Sequence, residues 1–353
     1  MERKTISYAI FILNVVIFLV SCGNETTDIV NIDSSTNGVI VLKNTYKIPD
    51  TSRFIGTSNI ISNDNKNFYF SNYFSRSIYH TRRPFTEIRK VGSSGKGPCE
   101  YSAPKCIKLL NKNIYFSDNN NPLIKSFPLN GKLIEDSCYS FMALHGGQKF
   151  ALNNRFICIL NDKTPIVSIY SRKNKELVKS LLKLNSGFYF PNSRFYGGGI
   201  VIDQNDYLYV VKGVPLKIWK INLNGNTPVL EGEWDYNNLC AIDTTQIKEL
   251  FFNNEKNVKF KNLTKIPIVF EMFIFGQKKQ NIIVDQIMHH GQYKHYYYII
   301  SNTGKLLYKM VSNKLTLIGA IDNNLFFVVQ STNTSDDFGT IKEYEYKVNI
   351  IND

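Results

Sequence analysis

The chain has 353 residues, 43% hydrophobic and 20% charged, with a formal net charge of +13. That length suits two ordinary domains or one large repetitive one, and the apolar content excludes an intrinsically disordered chain. Its basic residues are scattered, with no run of five, so the patch that nucleic-acid binding needs is missing and nucleic acid is not an expected partner.

Residues 1–21 read as a secretory signal. Arg3 and Lys4 make the positive start, Ile6 to Val20 form an apolar run broken by Ser7 and Asn14, and small Ser21 precedes Cys22. The run is shorter than the roughly 20 apolar residues of a spanning helix. Leu19-Val20-Ser21-Cys22 resembles a lipobox, which implies diacylglycerol on the Cys22 thiol, cleavage before it and acylation of the new amino terminus. Cys22 is therefore the expected lipidation site. The expected location is the cell envelope, with the outer membrane as partner through that lipid and either leaflet open. Removing Glu2, Arg3 and Lys4 with the signal leaves +13 − 1 = +12.

Residues 22–38 are polar and lack an apolar period, so they are expected to form a flexible tether. From residue 39 to 353 the pattern changes to short β-branched and aromatic runs separated by Asn, Asp, Gly, Ser and Pro, the composition of strands and turns. One unit recurs. Phe68-Tyr69-Phe70 is followed by Ser77-Ile78-Tyr79, Ile114-Tyr115-Phe116 by Leu123-Ile124-Lys125, and Leu208-Tyr209-Val210 by Lys217-Ile218-Trp219. The spacing is constant: 78 − 69, 124 − 115 and 218 − 209 are each 9. Looser copies begin at Phe156, Ile282 and Leu325, making six units. Intervals of 46, 42 and 52 residues between the first four copies suit a four-stranded propeller blade. Leu129-Asn130-Gly131-Lys132, Leu223-Asn224-Gly225-Asn226 and Ser301 to Lys305 supply the Asn and Gly of tight hairpins.

The expected fold is thus all-β: a six-bladed β-propeller of four-stranded antiparallel blades, with an irregular pair of β-sandwiches as the competing arrangement. The 74-residue interval from Tyr209 to Ile283 implies an insertion around 234–265. Within it, Asp243 to Phe251 has the cap and apolar stripe of a short helix, either a lid or a surface decoration. Gly38 to Ile48 and Thr340 to Asn349 are the expected pair that seals the ring, because an open blade exposes strand edges.

Gly95-Lys96-Gly97-Pro98-Cys99-Glu100-Tyr101, with Pro104 and the strand ending at Asp118, is similar to the Gly-x-Gly-Pro-Gly-Glu-Phe segment of six-bladed propeller lipoproteins of Bacteroides and relatives, which resemble NHL and TolB-type propellers. Cys99 stands where that family has glycine, and Tyr101 where it has phenylalanine. The resemblance implies a lipoprotein used for binding or interaction, and it brings no catalytic residues.

With Cys22 lipidated, Cys99, Cys106, Cys138, Cys158 and Cys240 remain, an odd number, and their pairing stays open. Cys106 and Cys158 sit in apolar segments where a thiol acts as a small hydrophobe. No CxxC, GxSxG, Walker loop or dinucleotide fingerprint occurs. Gly197-Gly198-Gly199 reads as a tight approach to the strand Ile200-Val201-Ile202. His289, His290 and His295 are the nearest thing to a metal cluster, but adjacent strand residues point to opposite faces, and a polar loop before His295 is expected. Asp118, Asp203, Asp206, Asp285 and Asp322 lie near strand ends and could meet at one propeller mouth; turn capping is the expected duty. Tyr293, Tyr296, Tyr297, Tyr298, Trp219 and Trp234 are expected to pack between blades. No catalytic residue, metal ligand or cofactor is assigned. The functional expectation is a monomeric, lipid-anchored binding or scaffolding module for a glycan, peptide or protein. The alternative is a metal-dependent lactonase-like hydrolase or lyase with carboxylates at the mouth.

Overall fold

The structure, a computed structural model, describes residues 30–31, 38–49, 57–97, 100–118, 120, 123–129, 140–142, 149–161, 164–183, 198–212, 216–236, 268–277, 280–289, 293–329 and 340–348. Among them there is no helix. Strands β1 (Val30–Asn31) and β2 (Gly38–Tyr46) come first and join sheets formed later. Blade 1 is β3 (Thr57–Ile61), β4 (Asn67–Asn72), β5 (Ser77–Arg82) and β6 (Ile88–Val91). A parallel bridge of β7 (Ser93–Ser94) and β8 (Glu100–Tyr101) leads to blade 2: β9 (Pro104–Leu110), β10 (Asn113–Asp118), β11 (Leu123–Pro128) and β12 (Ser140–Met142). Blade 3 is β13 (Phe150–Leu152), β14 (Phe156–Leu160), β15 (Val167–Ser171) and β16 (Leu177–Leu181). Blade 4 is β17 (Gly198–Ile202), β18 (Tyr207–Lys212), β19 (Lys217–Asn222) and β20 (Val229–Asp235). Blade 5 is β21 (Ile268–Phe275), β22 (Asn281–His289), β23 (Tyr293–Ser301) and β24 (Leu306–Ser312). Blade 6 is β25 (Leu315–Ile321), β26 (Asn324–Val329) and β27 (Ile341–Val348), completed by β2.

The first strands β3, β9, β13, β17, β21 and β25 each touch the next, and β25 returns to β3, so they surround an axis. The core is correspondingly divided. Six apolar clusters occupy the six gaps between blades; Phe68 and Phe70 of blade 1, for example, meet Phe326 and Val328 of blade 6. This is why the recurring triplets are apolar at successive positions rather than alternate ones. Phe68, Tyr69 and Phe70 are all buried, since each blade hides both faces against neighbours. All six copies fall on the hairpins between second and third strands, where Phe70 pairs with Tyr79 and Val210 with Trp219.

The ring is sealed as expected: β2 runs antiparallel to β27 from Gly38 opposite Val348 to Tyr46 opposite Ile341. Within the expected tether, β1 pairs with the outer strand of blade 5, Val30 opposite Val311. Glycines 198 and 199 lie inside β17 rather than ahead of it. A Cβ on Gly199 would stand 2.3 Å from Cβ of Met272 on the next inner strand, so the close approach of two backbones requires glycine there. Trp234 and Asp235, placed in the expected insertion, belong to β20, where Trp234 pairs with Ile218. The expected helix from 243 to 251 lies outside the described residues.

Candidate functional site

Naming the strands of each blade A to D from the axis outward, the propeller has an AB end, carrying A-to-B turns, and a BC end, carrying B-to-C turns and the blade connections. The AB end holds a cavity of about 570 Å³ around the axis. Its walls are the turns of blades 1, 4, 5 and 6, with Ser62 to Asn65, Gln204, Gln277, Gln280 and Asp322 supplying amides, carboxylates and a hydroxyl. The turns are built to stay in place. Asp64 accepts hydrogen bonds from the backbone of Lys66 and Asn67 and from the Asn67 amide. Partial burial pushes its pKa up, but these bonds outweigh it and bring it to about 2. Gln204 ties blade 4 to blade 5: its N–H donates to Gln280 Oε1 at 3.0 Å and its amide to the Gln277 carbonyl at 3.2 Å. Gly276 N–H donates to the Asp322 carbonyl across the gap to blade 6.

The five aspartates do not converge. Asp203, Asp206 and Asp322 are in A-to-B turns, whereas Asp118 and Asp285 are on second strands towards the BC end. Asp203 accepts the N–H groups of Asn205 and Tyr207, as turn capping predicts. Burial raises its pKa despite these bonds. Asp206 takes the Asn153 amide of blade 3 at 2.8 Å. Asp118 accepts from the backbone of Ser102 and Ala103 and from the Ser102 hydroxyl, and these bonds overcome burial to lower its pKa.

Beside Asp118, Gly95 and Gly97 close on the Glu100 carboxylate. Gly97 N–H donates to Glu100 Oε2 at 2.9 Å, and a Cβ on Gly95 would meet that oxygen at 2.0 Å. Lys125, buried on β11, donates to the carbonyls of Gly97 and Glu100 at 2.9 and 2.8 Å. Burial lowers its pKa against the pull of Asp118 and Glu100. Tyr101 fills the gap between blades 1 and 2, bonding the Val91 carbonyl at 2.7 Å. These residues form a staple between blades. Lys125 escaped sequence reading, though a lysine inside the apolar strand Leu-Ile-Lys-Ser-Phe was its signal.

The fifth and sixth blades share a second polar cluster. His295 is the third residue of β23 and pairs with Ile287; the expected loop before it, residues 290–292, lies outside the described residues. The His295 Nδ1 is 2.9 Å from Asp285 Oδ1, and its Nε2 is 3.1 Å from Thr316 Oγ1. Burial raises the Asp285 pKa, with His295 opposing. The order resembles a proton relay, but Asp285, His295 and Thr316 are all buried, so the set stitches two blades rather than facing a substrate. His290 lies outside the described residues. Among the described residues no three His, Cys, Asp or Glu side chains form a metal-holding group. Cys106 and Cys158 are buried free thiols, and burial raises the Cys158 pKa. Tyr297, Tyr298 and Trp219 are buried in blade gaps, as packing required.

No model of a known protein family and no curated protein sequence matches the chain. Solved structures do share its shape. A candidate exported protein of Bacteroides fragilis, 10% identical, aligns over 90% of this chain and 97% of its own with a TM-score of 0.60. A catalytically inactive virginiamycin B lyase of Staphylococcus aureus is 10% identical over 90% and 98%, with a TM-score of 0.49. A luciferin-regenerating enzyme is 10% identical over 88% and 95%, with a TM-score of 0.46. What the Bacteroides fragilis protein shares with this chain is the fold. This protein is a six-bladed β-propeller.

Proposed function

We propose that this propeller is a lipid-anchored cell-envelope binding module that takes a hydroxyl-rich ligand, a glycan, at the AB end of its axis. The observation that carries this reading is the polar cavity built from the pinned turns of blades 1, 4, 5 and 6. Its described lining holds Asn63, Asn65, Gln204, Gln277 and Gln280, groups that both donate and accept, with Asp64 and Asp322 as acceptors and no Lys or Arg. Such a set matches sugar hydroxyls better than an anion. A closed ring keeps these turns at fixed spacing, so little ordering is required on binding. The lipobox-like end of the signal supports anchoring through Cys22.

The test is calorimetric titration of the mature lipidated protein with a panel of envelope and plant oligosaccharides. At least one should bind, and Gln204→Ala combined with Gln280→Ala should weaken it by roughly tenfold, as lost polar pairing predicts. Binding of peptides or proteins alone, with every oligosaccharide silent, overturns the glycan reading. Cys22→Ala should leave the membrane fraction and lose the lipid mass adduct.

A further inference from the structure

From the route of the amino-terminal chain, we infer that the propeller stands on its anchoring membrane with the BC end down, the Tyr73–Phe74 turn entering the headgroup layer and the AB cavity facing away. This inference rests on the lipidation reading of Cys22.

Two independent observations carry it. The first is where the tether arrives. Val30 pairs with Val311, one residue before the end of β24, and only Asn313 and Lys314 separate β24 from the start of inner strand β25 at the BC end. Cys22 precedes Val30 by 30 − 22 = 8 residues, a reach of about 28 Å when fully extended. An eight-residue inner strand such as β21 is about 26 Å long. To place the AB end on the bilayer, the tether would have to run the height of a blade with almost no slack. With the BC end down it has slack.

The second is what that end exposes. Tyr73 and Phe74, 63% and 69% exposed, are the most exposed of the large hydrophobic side chains among the described residues. They occupy the B-to-C turn of blade 1, their rings edge to face at 5.8 Å. The turn is held outward: Asn72 Oδ1 accepts both the N–H and the hydroxyl of Ser75, at 2.8 and 3.1 Å. Arg76 is exposed beside them, and at the same end Lys96, between β7 and β8, and Lys294, near the start of β23, are exposed. Glu233 and Asp235, on the outer strand of blade 4, are occupied by Lys217 at 2.5 and 3.5 Å. An exposed aromatic turn with Arg76 beside it, at an end that also presents Lys96 and Lys294, suits the boundary of an anionic phospholipid surface, where ring and cation are both satisfied. A two-signal anchor, acyl chain plus surface contact, also holds more firmly than either part.

The experiment places a fluorescent reporter at each end. The full lipidated chain carrying Phe74→Trp, or Tyr73→Trp as a second probe, is reconstituted into phosphatidylcholine–phosphatidylglycerol vesicles containing nitroxide-labelled phosphatidylcholine. Asn63→Trp reports on the AB end, and the wild-type signal of Trp219 and Trp234 is subtracted. The BC-end probes should lose roughly twofold or more of their fluorescence to the nitroxide and the AB-end probe almost none, since an interfacial aromatic sits at headgroup depth. Equal quenching at both ends, or stronger quenching of Asn63→Trp, overturns the orientation while leaving the anchor intact. Absence of a diacylglyceryl adduct in the intact mass sinks the anchor reading, and the orientation with it. Unchanged melting temperatures show that the exposed turn tolerates the probes.

Discussion

The phenol of Tyr46 donates a 2.6 Å hydrogen bond to Glu343 Oε2, joining residues 297 positions apart on the seam where the two ends of the chain close the ring. Glu343 is fully buried, and the same carboxylate accepts from Asn44 at 3.0 Å and from Arg83 of blade 1 at 2.8 Å. One side chain on the last strand of the ring therefore gathers donors from the first strand and from the neighbouring blade. Glu343→Ala should cost about 2–3 kcal/mol in urea unfolding, below the full value for a broken buried pair because Arg83 reaches water. A loss under about 0.5 kcal/mol, the range of an ordinary surface change, would assign the seam to backbone pairing alone.

Removing residues 340–353 tests that backbone pairing. Without β27, strand β2 has no partner and the inner part of blade 6 is left with an open edge. The truncated chain should lose its cooperative thermal transition in circular dichroism. Melting like the full chain contradicts closure by β2 and β27.

Alkaline pH should weaken the fold. Burial first, then Glu343, pushes Tyr46 up from 10.0 to about 12, and burial does the same to Tyr101 and Tyr346. Because these phenols titrate higher in the folded state than in the unfolded one, their contribution is complete below pH 10 and is lost as pH rises through 12. The urea midpoint should fall steadily from about pH 10 upward, and Tyr46→Phe should make that fall shallower.

Gly199→Ala should destabilise by about 1–3 kcal/mol, since its methyl group would strike Met272 in a gap with no room to yield. Differential scanning calorimetry measures this directly. A neutral result would mean that β17 and β21 can separate.

Lys125→Met keeps the length of the side chain but removes the donor shared by Gly97 and Glu100. Two carbonyls lose their partner, and a loss of about 1–3 kcal/mol is expected. Proteolysis should then begin at the Gly95 to Tyr101 segment, earlier than in the wild type.

Much of the architecture was readable in one dimension because it is local. The triplets and their nine-residue spacing are the signature of a hairpin, and apolar residues at consecutive positions demand burial of both faces, which only stacked blades supply. Turn aspartates such as Asp203 were legible for the same reason: their hydrogen bonds reach only a few residues along the chain. The terminal strands could be named as a sealing pair from composition and position alone.

What the fold decided lies in contacts between distant segments. Spacing could not show that five aspartates divide between opposite ends of the axis, because each turn reverses the direction of the chain. Nor could it show that Glu100 and Lys125 meet, that His295 joins Asp285 to Thr316, or that β1 pairs with the outer strand of blade 5. Local pattern determined that the chain makes six blades. Closing them into a ring chose which side chains face one another across the gaps, because those distances exist only once the first strand has found the last.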